Sequence, residues 1–255
     1  MVETNDIQFN IEWEEILHQR SRKDGYTPKQ DVVILRIGGK IVGTLENIVC
    51  FSGLPKSGKS TFIGALLASS IIKTPVFDML VTFPEQKDRI VYFDTESSEY
   101  DFYKNVDRIK ALSYGAWSTG IDMYRCRDFE PEQFKYAIDY YLSTRQNVGI
   151  VVIDGILDLI NNFNDEYESK RLINWLKQIT TKYNVCIVTV MHTGKKDSNT
   201  LGHLGSGLDK YCQSTLLVER DNKEETTVLT AKMMRSDQHF NGIKIKWIDG
   251  KYKEV

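Results

Sequence analysis

Apolar residues along the chain gather in short runs that alternate between two rhythms. NIVCFS, RIVYFDTE (89–96), VGIVVID (148–154) and VCIVTVMH (185–192) are nearly continuous apolar stretches of strand length. VVILRIGGKIVG, ahead of the first, adds short β-rich runs punctuated by Gly38, Gly39 and Gly43, and MYRCRDF reads as one more short strand. Between them lie longer stretches of helical spacing or composition: STFIGALLASSII, YDFYKNVDRIKALSYGA, EPEQFKYAIDYYLSTRQ and NDEYESKRLINWLKQITTKY. Pro131 falls near the first turn of the third, where its missing N–H costs a helix nothing. Strands without a polar face are covered on both sides. Strand and helix in alternation therefore predict an α/β fold, a mostly parallel sheet flanked by helices. Beyond residue 213 the rhythm changes. STLLVER, TTVLTAKMMR and GIKIKWIDGKYKEV are three β runs joined by the polar turns DNKEE and SDQHFN, which predicts a C-terminal antiparallel extension. Residues 1–30 are polar apart from the helical stretch IEWEEILHQRS, so the expectation is an N-terminal arm (1–30) ahead of one domain (31–255).

Composition narrows the function classes. Hydrophobic residues are 41% and charged residues 27%, which is ordinary globular usage. No apolar run reaches the roughly 18 residues of a membrane span, so no membrane partner is expected. MVETNDIQFNIEWEE is acidic and lacks the apolar core of a secretory signal. Cys50, Cys126, Cys186 and Cys212 form no C-x-x-C pair, and Cys50 and Cys186 sit in apolar runs, which fits a reducing cytoplasm. The net charge of −2 lacks the basic excess of a constitutive nucleic-acid binder. Contact with DNA then needs a local patch, or several copies pooling a modest one.

The chemistry is concentrated at strand ends. GLPKSGKST, Gly53 to Thr61, matches the phosphate-loop pattern Gly-x4-Gly-Lys-Ser/Thr and lies between a strand and a helix. Gly53 and Gly58 let backbone N–H groups turn around phosphate oxygens, with Pro55, Lys56 and Ser57 completing the loop and Thr61 opening the helix. Lys59 is placed to reach the β- and γ-phosphates of ATP, and the Ser60 hydroxyl to hold Mg²⁺. Asp154 closes the apolar strand VGIVVID, the position of a carboxylate that orients Mg²⁺. The next residue is Gly155, not glutamate, so a catalytic base has to come from elsewhere. RIVYFDTES offers Asp94 and Glu96; if its strand neighbours that of Asp154, Glu96 faces the γ-phosphate. VTVMHTGKK brings His192 and Thr193 to the same sheet edge, where ligands of open α/β sheets bind. His18 and His239 read as surface residues.

GLPKSGKST, YFDTE, VVIDGILDLI with its following NDE, VMHTGKK, LGSGLDKY and AKMMR, in this order over residues 30–250, resemble the RecA-type P-loop NTPase core. They are most similar to RepA-like hexameric replicative helicases of plasmids and mobile elements, AAA-family ATPases. The resemblance implies Glu96 as catalytic glutamate, Asp154 as magnesium-orienting residue and His192 as phosphate sensor. It also implies that Lys232 and Arg235 act across a subunit boundary, in a homo-oligomer, typically a hexamer, on single-stranded DNA, with replication or mobilisation proteins as further partners. Met233 and Met234 separate Lys232 from Arg235, and positions i and i+3 of a regular strand face opposite sides. A bulge brings both to one side; without it, Arg235 is the better candidate. The resemblance places ILDLINNFND and GKKDSNTLGHLGSGLDKY, with Lys195 and Lys196, at the ring's channel, where glycines allow mobility. Aromatic residues for base stacking are few there, so grip is electrostatic and salt-sensitive. A non-unwinding ATPase that loads or remodels a protein partner shares every one of these residues. A small-molecule kinase needs an arginine-rich lid helix and an acceptor pocket, neither of which is clear.

Overall fold

The computed structural model describes residues 13–18, 20–21, 27, 30–194 and 202–255. The chain divides into two compact units, residues 1–31 and 32–255. In the first, residues 13–18 are helical, with Trp13 and Leu17 exposed.

The second unit opens with strands β1 (Val33–Ile37) and β2 (Lys40–Thr44), which join β4 (Met79–Val81) in a small antiparallel sheet of order β2-β1-β4. The main sheet takes the remaining nine strands. They are β3 (Ile48–Gly53), β5 (Arg89–Asp94), β6 (Ile121–Arg125), β7 (Val148–Asp154), β8 (Cys186–His192), β9 (Ser214–Asp221), β10 (Thr226–Met234), β11 (Ile243–Ile248) and β12 (Lys251–Glu254). Their order across the sheet is β12-β11-β10-β9-β3-β8-β7-β5-β6. From β9 to β6 every neighbouring pair is parallel, and from β9 to β12 every pair is antiparallel. The parallel core and the antiparallel extension thus stand where the two sequence rhythms place them.

The central strands are buried on both faces because their side chains alternate between two cores. Phe51, Ile90, Tyr92, Val152 and Val188 enter one. Cys50, Val91, Phe93, Ile153 and Ile187 enter the other. The first core is closed by α1 (Lys59–Ile72), by the small sheet and by Ile109 of α2 (Glu99–Leu112). The second is closed by α3 (Pro131–Ser143), α4 (Glu166–Tyr183) and α5 (Gly202–Tyr211). Side chains cap three of these helices: Ser98 Oγ accepts from the Asp101 N–H, Gln133 Oε1 from the Glu130 N–H in a capping box, and Asp165 Oδ1 from the Glu168 N–H. α1 begins at Gly58 without such a cap. Its first N–H groups are therefore left for another acceptor.

Three stretches differ from the sequence expectation. GHLGSGLDKY is not a mobile glycine-rich loop but helix α5. Leu204 and Leu208, one turn apart, are fully buried, which stabilises by about 1.5–3 kcal/mol each. That outweighs the roughly 1 kcal/mol that each interior glycine costs. A side chain at Gly207 would collide with Ile173 of α4, its Cβ standing 2.2 Å from Cδ1, so the glycine lets the two helices touch. The run ILDLINNFND is likewise not an open loop along its length: Ile156–Leu159 form a 3₁₀ turn, with Ile156, Leu159 and Ile160 in the second core. Finally, the last β run is two strands. Asp249 (φ 53) and Gly250 (φ 78) make a two-residue turn that folds β12 back on β11.

Candidate active site

The carboxyl ends of four parallel strands meet at one edge of the sheet. Gly53 at the end of β3 is in register with His192 at the end of β8, and Asp94 at the end of β5 with Asp154 at the end of β7. β5 and β7 are direct neighbours, the condition under which Glu96 turns to the same site as Asp154.

The phosphate loop leaves β3 through a tight gap. A Cβ on Gly53 would lie 2.3 Å from the Val218 carbonyl oxygen of β9, and one on Gly58 would lie 2.8 Å from Thr227 Cγ2 of β10. Gly58 also has φ 100, where other residues are strained. Leu54, Pro55 and Lys56 face solvent, Ser57 and Thr61 are buried, and Ser60 is half-buried. Ser57 Oγ is buried without a hydrogen-bond partner among the described residues. The Lys59 ammonium donates to the carbonyls of Gly53 at 2.9 Å and Leu54 at 2.8 Å. An uncapped helix start, an orphaned hydroxyl and a lysine folded over its own loop form a cradle that suits a phosphate chain. Beside it a groove of about 970 Å³ is lined by Arg108, Arg220, Thr227, Trp247 and Tyr252.

His192 connects the cradle to the carboxylates. Its Nδ1 lies 3.2 Å from Lys59 Nζ and its Nε2 3.1 Å from Glu96 Oε1. An ammonium only donates, so Nδ1 accepts and Nε2–H donates to Glu96. This bond, ahead of the charge of Lys59, holds the Glu96 carboxyl below its usual value against the effect of partial burial. Burial lowers the Lys59 pKa, and Asp154 and Glu96 oppose it. Asp94 is occupied elsewhere: its Oδ1 accepts from the Glu96 and Ser97 N–H groups and shapes the turn that carries Glu96. Thr193 donates its N–H to the Gly53 carbonyl and fastens the end of β8 to the loop.

Asp154 is buried and receives a hydrogen bond from Tyr92 Oη at 2.9 Å. Burial pushes its carboxyl up to about 7; the Tyr92 bond opposes this, and Asp94 and Glu96 add to it. A buried carboxylate with this strain suits a cation, and Ser60 and Asp154 are the groups that would hold Mg²⁺, whose chemistry is to neutralise charge on the phosphates. Sequence reasoning passed over Tyr92, which lies two residues before Asp94, because a tyrosine inside an apolar strand reads as core.

Lys232 and Arg235 are far from this edge. β10 runs antiparallel to β9, so Met234 pairs with Ser214, which pairs with Val49, four residues before Gly53. At about 3.3 Å per residue this puts Arg235 more than roughly 13 Å below the phosphate loop. Arg235 is exposed, and its N–H donates to the Gln213 carbonyl. The ladder shifts register between Ala231 and Met233, a bulge at Lys232, whose ammonium pairs with Asp209 of α5 at 2.9 Å. Lys195 and Lys196 lie outside the described residues.

A parallel sheet with helices on both faces, a phosphate loop after one strand and acidic residues closing its neighbours define a P-loop ATPase of the RecA fold. The family described as AAA domain matches residues 41–198, more than half of the chain, and the chain belongs to it. Among solved structures it is similar to a RadB recombinase, with TM-score 0.53 and 17% identity over 83% of this chain and 91% of that one. It is also similar to a KaiC-like protein from the hyperthermophilic archaeon Pyrococcus horikoshii OT3, with TM-score 0.60 and 14% identity over 89% of this chain and 100% of that one. At these identities the likeness is one of fold. No curated protein matches the sequence.

Proposed function

We propose that the chain hydrolyses ATP as an oligomeric motor on single-stranded DNA, in the manner of the RepA-like replicative helicases. The observation that carries the hydrolysis reading is the chain of contacts from Lys59 through His192 to Glu96, side chains from the start of α1, the end of β8 and the turn after β5. Glu96 takes a proton from the attacking water, the water oxygen bonds to the γ-phosphorus, and the bond to the β–γ bridging oxygen breaks. Lys59 leaves its two carbonyls for the phosphates, and His192, which touches both Lys59 and Glu96, reports whether the γ-phosphate is there. The nucleoside end extends into the groove beside Thr227. Arg235 has no path to its own chain's phosphates, which supports a role at a neighbour's site. An arginine supplied in this way is worth about 10³–10⁵ in rate.

A second reading, an ATPase that loads or remodels a protein partner without unwinding, is favoured by one observation, the net charge of −2. One experiment separates the two. The ATPase rate is measured with and without single-stranded DNA, and the mass is measured by light scattering with a non-hydrolysable ATP analogue. A motor shows a DNA-stimulated rate and a discrete multiple of the chain mass. A multimer whose rate ignores DNA favours the second reading, and a monomer without ATPase activity overturns both.

A further inference from the structure

Glu96 reaches the site over an unusual surface. A Cβ built on Gly155 would stand 3.0 Å from Glu96 Oε1. The carboxylate therefore fills the space that a side chain following Asp154 would take. Its placement depends on the main chain at 154–155, and that main chain is held from β5 by the residue next to Glu96. The buried Thr95 donates its N–H to the Asp154 carbonyl at 2.7 Å, and its Oγ1 accepts from the Gly155 N–H at 2.8 Å. A hydroxyl that accepts in this way has one proton left to give. Thr95 Oγ1 gives it to Asp158 Oδ2, 63 residues away in sequence, on the 3₁₀ turn after β7. The Asp154 and Gly155 carbonyls, at 3.1 and 3.4 Å, are the more distant acceptors. The turn is anchored from below by Ile156 and Leu159, while Asp158 is on its outer side, near enough to Glu96 to feel its charge.

We infer that Thr95 and Asp158 are positioning residues for hydrolysis. Asp158 fixes the rotamer of the Thr95 hydroxyl, the hydroxyl fixes the Gly155 N–H, and the Gly155 main chain sets the position of Glu96 relative to Asp154. Neither residue touches the phosphate cradle, so nucleotide affinity does not depend on them. This inference rests on the hydrolysis reading above and on Glu96 as its base. Thr95→Val keeps the volume but removes the hydroxyl. Asp158→Ala removes the acceptor at an exposed position and leaves Thr95 in place. Thr95→Ser keeps the hydroxyl, and Asp158→Asn keeps an acceptor oxygen.

The test is steady-state ATPase of the full chain, alongside binding of a fluorescent ATP analogue and the melting temperature of each variant. Misplacing a reacting group by about 1 Å can cost 10²-fold in rate. On that scale Thr95→Val and Asp158→Ala should each lower kcat by about 10- to 100-fold, with KM and analogue affinity within about threefold of the parent. Thr95→Ser and Asp158→Asn should recover most of the loss. The double variant Thr95→Val/Asp158→Ala should lose no more than the worse single one, because both act on one link. Parental kcat in Asp158→Ala, or a loss of affinity matching the loss of kcat, overturns the inference. So does failure of Thr95→Ser to recover activity at an unchanged melting temperature. Should Thr95→Val not fold, Asp158→Ala and its asparagine counterpart decide alone. Glu96→Gln, measured beside them, separates the two levels. If it abolishes turnover while Asp158→Ala is unaffected, only the positioning role falls; if it leaves turnover intact, the hydrolysis reading itself falls.

Discussion

Within the main sheet, the parallel strands β3, β5, β7 and β8 and the antiparallel strand β10 finish at opposite ends. β3, β5, β7 and β8 all run toward one edge and deliver Lys59, Glu96, Asp154 and His192 to it. β10 runs the other way and carries Arg235 to the far end, one residue beyond Met234, which is four register positions below Gly53. A strand's direction thus decides whose nucleotide its last residue can serve. On the function proposed above, residues that end parallel strands serve their own chain. A residue that ends β10 can serve a phosphate only on another copy. The bulge at Lys232 adds a second difference, since the ammonium there is engaged by Asp209 within the same chain.

The strongest way to break this comparison is to mix inactive variants. Arg235→Ala alone should lower the ATPase rate by about 10³-fold or more. Mixed with Lys59→Ala, it should regain activity, because one copy supplies an intact cradle and the other an intact arginine. An absence of recovery in verified mixed oligomers would remove the trans assignment. Next in size, Glu96→Gln should reduce the rate by about 10²–10⁴-fold with nucleotide binding retained. Mixing it with Lys59→Ala should recover nothing, since both lesions belong to one chain's edge. Recovery there would mean that Glu96 also crosses between copies.

The smallest effect sharpens the parallel half alone. With its pKa raised from 3.8 to about 7, Asp154 opposes folding of the nucleotide-free protein once it ionises. Its contribution is most favourable below the unfolded-state pKa, near 4, and is lost as the pH rises through about 7. Asp154→Asn removes that penalty. Each pK unit is worth about 1.4 kcal/mol, and about 1 kcal/mol moves the melting point of a domain this size by roughly 2–4 °C. The variant should therefore melt about 5 °C or more above the parent at pH 8 and level with it near pH 4. Equal melting points at pH 8 would show that burial does not raise this carboxyl.

What could be read from the residues alone follows the same division. A parallel strand buried on both faces is a continuous apolar run, and the polar residue that ends it stands out; this is why Asp154, Glu96 and His192 are visible as candidates. The phosphate loop is visible because its spacing is local. Thr95 and Asp158 are not, because their link joins two strand ends far apart in sequence and no local rhythm encodes it. α5 was hidden by its glycines, one of which, Gly207, allows contact with α4 at Ile173, a tertiary fact. The β11–β12 turn was within reach, since Asp249-Gly250 is a strong hairpin pair. The direction of β10, and so the distance of Arg235 from the cradle, needed the sheet order.

The close approach of Gly53 to the Val218 carbonyl has a mechanical consequence. Main chain abuts main chain there, with no side chain between them to flex or repack. A displacement of β9 by a neighbouring copy would reach the phosphate loop undamped, as a lever moves its own fulcrum pin. In the proposed oligomer the antiparallel half would then be more than a mount for Arg235: it would be the handle by which one subunit presses on the grip that another subunit keeps on its fuel.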